Sequence, residues 1–276
     1  MNHKENRTGE PDRQTLGQPQ PALDHQSPNR QPHEVDQQPD TTPLESQPTR
    51  DPVRRRAIRR LFRAEIIYAA ALAVFALLAL FAHLYAYFAW DLATARALQN
   101  LQLPGLFDLM SAVSVFGNRW IPFALTAATA LVFLFFKRRS EAAGIIFSAG
   151  ISALINYLLK TLIARPRPTS DLVRVMSQLR TLSFPSGHVT FYVCYFGFLF
   201  FVAYALLPRG TTARRLALIL TALPVALIGF SRVYLGEHWP SDTLGAYLWS
   251  GLWLALSLHL YRKWKQRATF HQTPQP

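Results

Sequence analysis

From about residue 64 onward the chain alternates long apolar runs with short polar knots. Six runs, at about 64–90, 119–136, 142–164, 188–207, 214–231 and 242–261, approach or exceed the ~20 residues that a helix needs to cross a bilayer core about 30 Å thick. The pattern predicts an all-α protein built as a six-transmembrane-helix bundle. A weaker stretch, LPGLFDLMSAVSVFG at 103–117, is interrupted by Pro104, Gly105 and Asp108 and predicts a short helix lying along the membrane interface. Residues 1–53 are rich in Gln, Pro, Asp and Asn and nearly free of aromatic and branched apolar side chains. Such a segment buries too little surface to offset its chain entropy, so it is expected to be a disordered cytoplasmic tail. Residues 54–267 are expected to form the membrane domain, and 268–276 a short C-terminal tail. The first run is too long for a signal-peptide core and no small-residue cleavage site follows it, so it is expected to be a retained span.

Composition sharpens this picture only once it is divided. Over 276 residues the hydrophobic share is 50% and the mean hydropathy +0.09, averages that mix two unlike regions. The formal charge of +13 suggests nucleic acid at first sight. Residues 1–53 carry five basic and nine acidic groups, so the remainder holds about seventeen net positive charges. Those charges gather as RRRAIRRLFR at 54–63, KRR at 137–139, the arginines of 209–215 and RKWKQR at 262–267. A nucleic-acid groove would interleave basic, aromatic and polar residues over one surface; here the knots punctuate spans, and no nucleic-acid partner is expected. Lys and Arg are about twice as numerous on the face bearing the termini, roughly sixteen against eight. The positive-inside rule then puts both termini in the cytoplasm and the loops 91–118, 165–187 and 232–241 outside a plasma (inner) membrane. The single cysteine, Cys194, lies within a span. It permits no intrachain disulfide and no cysteine zinc site, and is expected to be a packing residue.

Against the orientation rule, Lys160, Arg165, Arg167 and Arg232 gather at the outer face. An unpaired charge at depth costs about 2.5–3.5 kcal/mol on insertion scales, and a shared anionic ligand accounts for the group better than snorkelling does. Three clusters meet there. In KTLIARPRP at 160–168 two Arg-Pro steps end a helix and leave guanidiniums able to grip phosphate with paired hydrogen bonds. In FPSGHV at 184–189 Ser186 is a candidate helix cap, Gly187 allows close approach to the backbone, and the free N–H groups of the span offer an anion seat beside His188. In SRVYLGEHWPSD at 231–242 Arg232 ends a span and Pro240 suits a first helical turn. His238 and Asp242, four apart, share a face if the helix begins near His238, and a carboxylate on one imidazole nitrogen raises the nucleophilicity of the other. Two histidines among several cations suggest phosphoryl transfer: one attacks phosphorus, the other protonates the departing oxygen, and the cations hold the equatorial charge. Asp171, Glu237 and Asp242 are too scattered to cage a divalent metal. Arg165, Arg174, Arg180 and Glu237 read singly as interfacial residues, and His83 and His259 as packing or interfacial ones.

The order K-x6-RP, PSGH, SR-x5-H-x3-D resembles the type 2 phosphatidic acid phosphatase (PAP2) superfamily of membrane phosphatases. The motifs span 160–242 and the run count about 64–262. The resemblance implies metal-independent hydrolysis of phosphate esters or anhydrides, without a cofactor. It further implies that His238 is the nucleophile forming a phosphohistidine, with Asp242 as its orienting partner and His188 as general acid. Lys160, Arg167, Ser186, Gly187 and Arg232 would bind phosphate. The expected function is a phosphatase of lipid phosphates or diphosphates at the outer leaflet, acting on polyprenyl diphosphate, phosphatidate or phosphatidylglycerol phosphate; the oligomeric state is left open. A lipid phosphotransferase would use the same residues. A transporter or flippase would show inverted repeats and charges at the midplane, and the sequence shows neither.

Overall fold

The computed structural model describes residues 52–177 and 181–270, and all regular structure among them is helical. The expected tail at 1–53 lies outside the described residues apart from its last two. Helix α1 runs over Pro52–Leu84, α2 over Ala89–Gln99 and α3 over Leu106–Ser114, closed by a 3-10 turn at Val115–Gly117. Helix α4 covers Ile121–Phe135. Helices α5 (Arg139–Ile145) and α6 (Ser152–Ile163) are joined without a break by a π-helical turn at Ile146–Ile151. Helix α7 spans Gly187–Leu206, α8 Thr212–Tyr234 and α9 Pro240–Phe270, so α9 extends three residues into the expected C-terminal tail.

Among the described residues four helical stretches are long and apolar enough to cross a membrane: Glu65–Leu84, Arg139–Ile163, Gly187–Leu206 and Thr212–Tyr234. A fifth is reached if Leu106–Gly117 and Ile121–Phe135, bent by 61° at their junction, count as one span. The expected count of six is not confirmed, for two reasons. Helix α4 has only 15 residues, about 22 Å at 1.5 Å per residue, short of the hydrocarbon thickness by itself. Helix α9 is long, but Trp, Tyr, Ser and His dilute its apolar residues. The first run also stops early, at Leu84, and the chain turns into the separate helix α2.

Helix α7 is the centre of the packing, lying against α6, α8 and α9. Phe191, Tyr192, Tyr195 and Phe198 are buried in that core, as the aromatic-rich pattern of the run suggests, and Cys194 is buried among them. The connections matter most for position. The end of α6, the start of α7, the end of α8 and the start of α9 all lie at one end of the bundle, bridged by the segments 164–186 and 235–239. Every motif residue is on these four helix ends or two segments.

Candidate active site

Helix α6 ends at Ile163 because Ala164 turns left-handed, with φ +53°, just before the first Arg-Pro step. Lys160, in the last turn, donates to the carbonyls of Leu182 (2.6 Å) and Ser183 (3.1 Å). Arg167 reaches the Thr181 carbonyl (2.8 Å) and hydroxyl (3.0 Å) and the Glu237 carbonyl (2.6 Å). These partners carry no full charge, so the charge of Arg167 is left for an anion. Burial pulls Arg167 down to about 10, which leaves the guanidinium charged at neutral pH.

The segment 235–239 is shaped by Gly236, whose φ of +69° and whose approach to the Arg174 carbonyl leave no room for a Cβ. This turn sets His238, fully enclosed, ahead of Pro240 at the start of α9. The helix therefore begins two residues later than expected, yet Nδ1 of His238 still lies 3.4 Å from Oδ2 of Asp242. That oxygen also accepts the Trp239 N–H at 2.9 Å and a short hydrogen bond from the Ser183 hydroxyl. Burial first, then the charges of Arg167, Lys160 and Arg232, hold the His238 imidazole well below its ordinary value. It is a neutral base at pH 7.

Arg232, buried in the last turn of α8, donates to the Ser114 hydroxyl through one terminal nitrogen and forms an ion pair with the Glu237 carboxylate through the other. Its Nε is buried without a partner. Ser186 occupies the N-cap position of α7, but its side chain does not cap the helix as expected; its Oγ is buried and likewise unpartnered. Gly187 sits beside Asn156 and Lys160. Buried polar atoms left unpaired in this way are costly, and these two lie on motif residues where an anion would be received. His188, one residue into α7, pairs through Nε2 with Oδ1 of Asn118 at 2.9 Å. It lies within electrostatic range of Arg232, His238, Arg167 and Lys160. The eight predicted residues thus gather at one end of the bundle, where Gly187 and His188 line one cavity and Arg167 another.

The residues read singly as interfacial fare differently. Arg165 is corrected: it is fully buried, salt-bridged to Asp242 at 2.7 Å and to Asp91 at 2.9 Å. Glu237 is also buried, against Arg232 and Ser177. His83 bonds the Ile163 carbonyl at 3.0 Å, in keeping with packing, and Arg180 lies outside the described residues. Asp91, Asn118, Ser114 and Ser183 had no signal in the sequence, being scattered polar residues far along the chain from the motifs they touch.

Beyond His188 an apolar cavity of about 410 Å³ runs between α4, the π-helical turn and α7, lined among others by Phe123, Ala127, Ile146, Ala149 and Ala153. A carboxylate-assisted imidazole and a set of cations, with a second imidazole that lines an apolar chamber, can move a phosphoryl group from an amphiphile to water.

Comparison with known proteins agrees with this chemistry. The sequence model described as the PAP2 superfamily matches residues 141–266. The chain is 34% identical over 160 residues to decaprenylphosphoryl-5-phosphoribose phosphatase of Mycobacterium tuberculosis, covering 55% of this chain and 80% of that protein. It is 27% identical over 173 residues to phosphatidylglycerophosphatase B of Bacillus subtilis, covering 63% of this chain and 84% of that protein. Among solved structures, a transmembrane PAP2-type phosphatidylglycerolphosphate phosphatase from Bacillus subtilis superposes with a TM-score of 0.61 at 26% identity, covering 71% of this chain and 96% of the other.

Proposed function

The chain belongs to the PAP2 superfamily and is a membrane phosphoric ester hydrolase, and from that premise we propose that it dephosphorylates lipid phosphates or diphosphates at the outer leaflet through a phosphohistidine on His238. The observation that carries the reading is the seat of His238: a neutral imidazole with Asp242 behind it and Lys160, Arg167 and Arg232 around it. Asp242 accepts the Nδ1 proton, so Nε2 presents its lone pair. Nε2 attacks phosphorus, the bond to the leaving oxygen breaks with its electron pair, and His188, protonated once the bound phosphate offsets the surrounding cations, delivers its proton to that oxygen. In the second half, water attacks phosphorus and gives its proton to His188, and the N–P electron pair returns to His238. The three cations, with the Ser186 hydroxyl and the Gly187 N–H, hold the charge on the equatorial oxygens in both steps.

The apolar cavity beside the acid supports a lipid leaving group, since the alcohol that His188 protonates then carries its chain into a compartment that water does not favour. Relatives named for undecaprenyl diphosphate, decaprenylphosphoryl phosphoribose and phosphatidylglycerophosphate support the polyprenyl and glycerolipid phosphates as the panel to assay. The converging helix ends, opposite the basic knots at 137–139, 209–215 and 262–267, support a site facing away from the cytoplasm with both termini inside.

The test is phosphate release by detergent-purified protein from polyprenyl diphosphate, phosphatidate and phosphatidylglycerol phosphate in excess EDTA, with His238→Ala alongside. The wild type should turn over at least one of these and be inhibited by vanadate. His238→Ala should lose on the order of a thousandfold in kcat or more. Undiminished turnover by the variant would end the proposal.

A further inference from the structure

Behind Asp242 lies a buried polar chain that the motifs do not contain. Asp91 on α2, Arg165 on the segment after α6, and Ser241 and Asp242 on α9 are all fully buried. One terminal nitrogen of Arg165 donates to Oδ1 of Asp242 (2.7 Å) and to the Ser241 hydroxyl (2.6 Å), and the other donates to Oδ2 of Asp91 (2.9 Å). Its Nε faces the carbonyls of Tyr85 and Ala86, and the ring of Phe88 covers the guanidinium. Asp91 is fixed in turn by the Ser241 N–H (2.8 Å), the Ser241 hydroxyl (2.7 Å) and the Phe88 N–H (3.1 Å).

We propose that Asp91 and Arg165 are positioning residues for catalysis, which hold the Asp242 carboxylate with one oxygen toward His238 and keep that carboxylate's negative charge available to it. The proposal rests on the reading of His238 as nucleophile.

Two features separate this from a scaffold. Arg165 takes only Oδ1 of Asp242, which leaves Oδ2 to Ser183, the Trp239 N–H and His238 Nδ1. An arginine engaging both oxygens would turn the carboxylate away from the imidazole. The charge count also matters: one guanidinium serves two carboxylates, so the chain carries one excess negative charge in a dry environment. The imidazole matches that charge only when it turns positive, as it does on bonding to phosphorus. An interaction that grows on the way to the transition state accelerates the chemical step. The charged groups facing His238 are Lys160 on α6, Arg167 on the 164–186 segment, His188 on α7, Arg232 on α8 and Asp242 on α9. Glu237 on the 235–239 segment is paired with Arg232, so the basic groups are offset by Glu237 and by the one excess carboxylate of the chain from Asp91 through Arg165 to Asp242.

Asp91→Asn keeps the size and a hydrogen-bond acceptor and removes the charge. Arg165 then bears on Asp242 alone, the imidazole becomes less basic, and the acid limb of kcat/KM moves to lower pH. We expect kcat to fall about tenfold or more, with KM and the inhibition constant for inorganic phosphate within about twofold of wild type. Wild-type kcat and an unmoved acid limb overturn the proposal. So does a kcat loss with an unmoved limb, or one matched by lost phosphate binding, because the chain then only scaffolds the pocket. Should Asp91→Asn not purify as a folded protein, Ser241→Ala decides: it removes the bridging hydroxyl without touching any charge. It should cost several-fold in kcat at an unchanged phosphate inhibition constant, and unchanged kcat overturns the proposal. His238→Ala runs beside both. Activity retained there sinks the phosphohistidine reading itself, whereas an inert His238→Ala with a wild-type Asp91→Asn sinks only the role of Asp91 and Arg165.

Discussion

His238 shows how a side chain common at membrane borders is seated for the nucleophilic role proposed for it. Its seat excludes water and is ringed by cations, so protonation is penalised twice and the imidazole stays neutral below its ordinary value of 6.5. The kcat/KM profile reports ionisations of the free enzyme. Its acid limb, corrected for the ionisation of the substrate phosphate, should therefore fall below pH 6.5, and a limb above 6.5 contradicts the burial. The same shift has a stability consequence of fixed sign. Below about pH 6.5 the unfolded chain takes up a proton that the folded site refuses, so stability falls as pH drops through that value; detergent melting curves across pH 5–8 will show it. Arg165 makes the opposite case, a buried cation paired with two carboxylates. Arg165→Ala strands both of them and should cost about 3–5 kcal/mol, a loss visible as failure to purify or a collapse in melting temperature.

At the level of elements, the irregular places do the work. The π-helical turn at Ile146–Ile151 swells the α5–α6 helix beside the cavity, and the small residues Ala149, Gly150 and Ala153 leave the volume open. Ala153→Trp should fill it, raising KM for a long-chain lipid phosphate tenfold or more while leaving kcat on a short-chain soluble phosphate within about twofold. Equal effects on both substrates would remove the cavity from tail binding. The bend between α3 and α4 brings Gly117 against the ring of His188, where a Cβ would stand 2.2 Å from the imidazole. The motif ends of these elements were legible in the sequence: the Arg-Pro steps stop α6, Gly187 opens α7, and Arg232 falls in the last turn of α8. The bend, the π-helical turn and the chain from Asp91 to Asp242 were not. Hydropathy measures how apolar a run is, not where its backbone slips by a residue. Asp91 lies 74 residues before Arg165 and 150 before Ser241, and only tertiary packing joins them. Arg165 itself was visible, but a lone arginine beside a membrane carries no mark that two carboxylates wait in the core.

For the molecule as a whole, sidedness is the property on which lipid access depends, and it follows from how charge is divided between the two ends. At the end bearing the site, Lys160, Arg167 and Arg232 turn inward among the motif residues, while Arg96, Arg119 and Arg174 are exposed. The other end holds the basic knots and a separate cluster in which Glu141 takes Lys265 at 2.7 Å and Tyr261 at 3.1 Å. Cationic groups resist translocation, so the knotted end should remain cytoplasmic. Because the protein's only cysteine is buried, introduced cysteines report orientation against a silent background. Ser170, exposed on the site-bearing segment, and Thr212, exposed where α8 begins at the opposite end, are suitable positions. In intact cells a membrane-impermeant maleimide should label Ser170→Cys and reach Thr212→Cys only after permeabilisation. Labelling in the reverse order would put the phosphate pocket in the cytoplasm, and the substrates would then have to be sought among inner-leaflet lipids.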